Sequence, residues 1–211
     1  MVRPATIFAV IALPLLAWVG DATPARAGAA EGMAAWRQGD FARALREWEP
    51  LAVRGDRVAQ FNLGLMYENG QGVGRDTARA ALWYRKSADQ GYAEAQNNLG
   101  RMYYMGDGIA EDYSEAVTLF HRAAEQGVPF AHFFLGMIFA AGGKGVQPDP
   151  VQAYKWLTLA AALHTLPRYR EDALSSRKPV AAGLSPGQIA VAEQLAHGWM
   201  TEFRKRVEAV R

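Results

Sequence analysis

Slid against itself, the chain matches at a fixed offset of 36 residues, and that self-similarity restricts its fold more than any other property. Leu63-Gly64 returns as Leu99-Gly100 and Leu135-Gly136, and Tyr67 returns as Tyr103 and Phe139. Ala59 recurs as Ala95 and Ala131, and Gly70 as Gly106 and Gly142. Asp40, Asp76 and Asp112 keep the same spacing. Asp149 and Ala153 then follow Asp112 and Ala116 after 37 residues, with the extra residue falling in Gly142-Gly143-Lys144-Gly145. Three full units cover 57–92, 93–128 and 129–164. A shortened unit, 28–56, precedes them, and 165–211 departs from the period.

Each unit reads as two helices. In the first, Ala59, Leu63, Met66 and Tyr67 share one face at helical spacing. Gly64 sits beside that face. Glycine inside a helix costs about 1 kcal/mol relative to alanine, so its return at Gly100 and Gly136 predicts a partner helix crossing closely. Gly70 predicts a left-handed stop. The second helix opens at an aspartate, as in Asp112-Tyr113-Ser114-Glu115, which has the spacing of a capping box. Asp149-Pro150 places proline where its missing N–H is harmless. Ala80, Trp83, Tyr84 and Ala88 form the buried stripe expected of that helix, repeated as Ala116, Leu119, Phe120 and Ala124, and as Ala153, Trp156, Leu157 and Ala161. No segment alternates with period two for long. The expected fold is all-α, an α/α solenoid of antiparallel helix pairs.

These motifs carry a resemblance. Leu63-Gly64-x-x-Tyr67 and Leu99-Gly100-x-x-Tyr103 look like the signature of tetratricopeptide-like hairpins. The 36-residue period, the turn Gly70-Gln71-Gly72-Val73 and the unit end Ala123-Ala124-Glu125-Gln126-Gly127 are similar to the Sel-one-like repeat family. The resemblance implies a superhelix that binds proteins or peptides and usually lacks catalysis. It also implies envelope roles in signalling, exopolysaccharide control and complex assembly. A Cys-rich branch of that family is linked to β-lactam binding. This chain contains no cysteine, which argues against that branch and excludes disulfide frameworks, Cys-ligated metals and thiol catalysis.

Residues 1–27 have the layout of a secretory signal peptide: a basic start at Arg3, an uncharged run from Ile7 to Val19, and Ala25-Arg26-Ala27 as the cleavage site. The run is too short to span a bilayer, and no other apolar run is long enough. The reading is a periplasmic protein cleaved after Ala27, with no membrane span after signal removal; the alternative is a segment left uncleaved as an N-terminal anchor. The net charge of +2, from 23 basic and 21 acidic residues, argues against nucleic acid as a partner.

The tail is expected to hold a polar linker, with Pro167 ending the last repeat helix. Ser185-Pro186-Gly187-Gln188 then opens a capping helix with an apolar stripe of Ile189, Ala192, Ala196, Trp199, Phe203 and Val207.

No residue set carries a catalytic reading. His121, His132, His164 and His197 have no metal-ligand spacing and read as ordinary helix residues. Gly70-x-Gly72 lacks the pattern of a phosphate loop and reads as a turn. Glu47 and Glu49 cannot converge from one helix, although Glu47 falls oddly on the buried stripe, in Trp83's register. No cofactor or metal is expected. A binding face is better supported. If Ala59, Leu63 and Tyr67 face the core, then Phe61, Leu65 and Glu68 lie on roughly the opposite side. Their equivalents are Asn97, Arg101 and Tyr104, then Phe133, Met137 and Ala140. In tetratricopeptide-like arrays this face lines the concave groove, so the resemblance implies that these residues contact a partner. Val128 to Ala141 is apolar almost all round, which leaves open whether the C-terminal helix covers Phe133 and Met137. The leading expectation is a scaffold or adaptor that docks an envelope protein segment. The alternatives are an envelope enzyme or small-ligand binder acting on cell-wall or β-lactam-like substrates, and a homo-oligomeric structural element.

Overall fold

A computed structural model describes residues 24–209. The signal-peptide reading rests mainly on 1–23, which lie outside the described residues, while Ala25-Arg26-Ala27 falls in the first helix. Among those described there are ten helices and no strand. The repeat units appear as antiparallel pairs: α3 (Arg57–Asn69) with α4 (Thr77–Asp89), α5 (Ala93–Met105) with α6 (Tyr113–Glu125), and α7 (Pro129–Ala141) with α8 (Pro150–Leu163). Before them come α1 (Pro24–Arg37) and α2 (Phe41–Val53). Each pair packs on the next, giving a helical solenoid with a continuous core.

The repeated aspartates act as helix caps. Asp40, Asp76 and Asp112 each accept from the backbone N–H three residues on, and Asp149 accepts from Val151 and Gln152. The repeated glycines are contact points. A Cβ at Gly64 would lie 2.5 Å from the Tyr84 ring, one at Gly100 3.0 Å from Phe120, and one at Gly136 2.5 Å from Leu157. The glycine thus admits a bulky side chain of the partner helix to the pair's axis, and those side chains are fully buried.

The turns interlock the units. Gly72 and Gly108 have positive φ, and a Cβ there would meet backbone at the start of the preceding unit's second helix, Phe41 and Thr77 respectively. The third unit makes the same joint differently. Its extra residue lets Gly143 and Val146 form a small antiparallel bridge. Gly143 then lies on the Tyr113 ring and Gly145 on Ser114.

The first unit is shortened in its loop rather than its helices. Gln38–Asp40 joins α1 to α2, where Gly70–Asp76 joins α3 to α4. Gly32, rather than a residue 36 before Gly64, meets Trp48 as Gly64 meets Tyr84. Trp48 is the core residue of α2, and Glu47 is only half-buried, as is Trp83 in the same register. The odd glutamate is explained by a buried stripe that runs one residue later than the sequence pattern implies.

The tail corrects an expectation. The polar stretch is a helix, α9 (Pro167–Ala182), and Pro167 occupies its first turn instead of merely ending α8. It buries only Ala173, against Ala160, Ala161, Phe133 and Leu174, so its amphipathic period is faint. The last helix, α10 (Pro186–Ala209), has the expected reciprocal cap: the Ser185 N–H donates to Gln188 Oε1, and the Gln188 N–H donates to Ser185 Oγ. It packs on α8 through Ala192, Ala196, Trp199 and Met200. Val207, expected on that stripe, is exposed.

Candidate partner-binding face

The residues placed on the inner face do not share one fate. Phe61 is 3% exposed, with its ring against Tyr84 and Tyr92, in the core shared with Ala80 and Leu99. It is not available to a partner. The physical reason is that α3 is enclosed by α2, α4 and the entry to α5, which leaves a narrower free arc than a two-sided helix would have. Asn97 is buried as well. Its Nδ2 donates to Asn98 Oδ1, while its own Oδ1 has no hydrogen-bond partner. Phe133 is half-buried against the α9 cluster. It is therefore α9, and not α10, that borders it.

Leu65, Glu68, Arg101, Tyr104 and Met137 are half-buried. Glu68 on α3 and Arg101 on α5 form an ion pair across the repeat boundary, with side chains 17% and 22% exposed. The Tyr84 hydroxyl donates to the other oxygen of Glu68 at 2.7 Å. Burial first, and then the Glu68 charge, push that hydroxyl well above its ordinary range, so it stays a donor. Tyr104 lies edge-on to Tyr113 and near Phe134, and burial raises its hydroxyl too. The face therefore grades from a paired polar cluster at α3 and α5 to an aromatic and aliphatic surface at α7. A neutralised Arg–Glu pair flanked by tyrosine, leucine and methionine can hold an apolar segment and offer hydrogen bonds at one end. Among the described residues no group of three or more His, Asp or Glu side chains is placed to hold a metal ion.

A second set of residues escaped the sequence reading. Gln60 donates its Nε2 to the Ala52 carbonyl of the preceding unit, and its Oε1 accepts from Gln90 at 2.7 Å. Gln96 repeats this, donating to Ala88 and accepting from Gln126 at 2.9 Å. These buried glutamines tie each unit to its predecessor and satisfy both ends of the side chain. The 36-residue register puts His132 next in that series, and with the one-residue slip Leu163 follows Gln126, so the ladder ends there. The signal was present in the period, in polar residues rather than apolar ones.

The paired helices, the glycine contact points and the inter-unit joints define a tetratricopeptide-like α-solenoid. A family model described as Sel1 repeat matches residues 57–92, 93–128 and 129–164. The chain belongs to the Sel1 repeat family. Among solved structures it is similar to a protective antigen present in uropathogenic Escherichia coli strains that displays an SLR fold. That match has 38% identity and a TM-score of 0.62, covering 65% of this chain and 30% of that one. A Sel1 repeat protein from Oxalobacter formigenes matches at 29% identity and a TM-score of 0.63, covering 71% of this chain and 57% of that one. The chain thus spans less than two thirds of the length of both. No curated protein matches it. Sel1 repeat proteins generally serve as non-catalytic protein-interaction scaffolds. No helix among the described residues is long and apolar enough to cross a membrane.

Proposed function

We propose that the chain is a periplasmic, non-catalytic adaptor that docks a segment of an envelope protein along the inner face of its first helices. The observation that carries this is the row of half-buried residues left open by the packing: Leu65, the Glu68–Arg101 pair, Tyr104 and Met137. Arginine, tyrosine and methionine are types that anchor interfaces. The partner segment is apolar along most of its length, with polar groups where it meets α3 and α5.

Photo-crosslinking probes at Leu65 and Met137 should capture the same partner, and a probe at Leu82, 62% exposed on α4, should not. Arg101→Ala combined with Met137→Ala should abolish that capture while the helical content is retained. Unchanged capture by the folded double variant would reject the inner face as the docking site.

A further inference from the structure

We infer that His132 forms a pH-responsive lock between the last repeat and α10, closed while the imidazole is neutral and released when its second ring nitrogen takes up a proton. The repeat itself defines the position. The two preceding units hold Gln60 and Gln96 there, side chains that cannot titrate and whose polar ends are both paired. His132 is fully buried. Its Nδ1–H donates to the Val128 carbonyl one turn back at 2.8 Å, which fixes the tautomer. Its Nε2 has no partner in the protein, and neither does Nε1 of the adjacent Trp156. Two indoles wall the ring: Trp156 of α8 at 5.6 Å and Trp199 of α10, edge-on, at 4.8 Å. Phe203 stacks on Trp199, and its tip rests on Gly127 in the α6–α7 turn. The α10 helix therefore closes over His132.

The surrounding charges offer an imidazolium no compensation. From α6 comes His121, from α8 Lys155, and from its C-cap His164, all of which oppose a positive charge on His132. The α7 helix contains no acidic residue. Glu125 acts on His121 and Asp172 on His164. On α10, Glu193 accepts from the Tyr154 hydroxyl and Glu202 pairs with Lys205, while Arg206 lies over Phe203. Burial accordingly holds His132 down at about 4. Its folded value lies below the ordinary 6.5, so the closed state binds fewer protons than the released one. Closure is complete above about pH 6.5 and weakens as pH falls toward 4. The element that yields is α10. Only Ala192 and Ala196 of its side chains are fully buried, whereas the glutamine-tied units keep their joints. Lifting α10 admits water to Nε2 and uncovers the apolar end of the array around Trp156 and Ala124.

The cysteine-free chain permits a direct test. With His197→Cys on the exposed side of α10 and Arg122→Cys on α6, a pair of fluorophores reports their separation from pH 7.5 to 4. The separation should increase with a midpoint between pH 4 and 6.5 while far-UV dichroism stays helical. His132→Gln, which restores the residue of the other units, should flatten that profile. The same profile in His132→Gln, a flat profile in the parent, or loss of all helix at the same midpoint would overturn the inference. As a check that does not depend on that variant, the His132 ring titration is followed by NMR in Trp199→Ala. Its pKa should rise by about 2 units toward the ordinary value. An unmoved pKa would show that α10 does not seal the ring.

Discussion

The joint at Gln96 and the joint at His132 occupy the same place in successive units, yet they are built from different chemistry. At Gln96 a neutral amide bridges two units and both of its ends are bonded. At His132 the ring turns back on its own helix, one nitrogen is left without a partner, and a foreign element, α10, supplies Trp199 in place of a bridging amide. The first arrangement can repeat indefinitely. The second terminates the series, and it puts a titratable ring where the preceding joints hold an amide that cannot titrate.

The largest contrast should come from truncating one aromatic ring in the interior and one in the cap. Phe120→Ala, at a fully buried side chain on the Gly100 contact, should lower unfolding free energy by about 3–5 kcal/mol. Trp199→Ala, at a half-buried ring, should lower it by about 1–2 kcal/mol. Urea titrations giving equal losses would break the distinction between interior and cap. Next is acid. Above about pH 6.5 the neutral His132 contributes its full share. On lowering the pH to 4 the parent should lose about 3 kcal/mol of stability that His132→Gln retains, because burial holds the folded ring at about 4, below the ordinary 6.5. Thermal melts of the two proteins across that range check this, and parallel curves would sink it. A smaller effect is expected at the bridge. Gln96→Ala removes one hydrogen bond from the Ala88 carbonyl and one from Gln126, each of which keeps another, and should cost about 1–2 kcal/mol. The same alanine at His132 should cost less at pH 5 than at pH 7, because it removes the group that acid penalises. The smallest effect should be on the inner face. Arg101→Gln should change stability by less than about 1 kcal/mol, since the pair is partly exposed, while weakening capture of the partner. A large loss of stability would mark the Glu68–Arg101 pair as structural rather than recognitive.

Much of the fold was legible because helices and turns rest on short-range chemistry. The period located the Asp caps, the glycine contact points and the left-handed turns, and the matched repeats coincide with those units. The candidate face was less legible. Helical spacing says which residues lie opposite Leu63, but not how many neighbours enclose the helix. Phe61 and Asn97 are therefore buried while Arg101 and Tyr104, one or two turns on, are not. The α9 helix was missed because it buries a single alanine, and periodicity reads apolar stripes. The glutamine series was missed for a related reason: polar residues at a repeat position look like surface until their carbonyl partners are known.

The interlocking turns have a consequence for how the chain is built. Among the side-chain hydrogen bonds of the described residues, the most distant partners, Tyr154 and Glu193, are 39 residues apart, and Gly72, Gly108 and Gly145 each reach back to the neighbouring hairpin. Within the repeats no closure has to wait for remote sequence, so contact order there is low and assembly can begin at any hairpin and zip outward, leaving α10 to close over His132 and Gly127 from farther along the chain. A whole cassette excised or duplicated between two such glycines would leave every remaining latch with its mate. The length of the array is thus free to vary in evolution, much as a chain of identical couplings accepts another carriage.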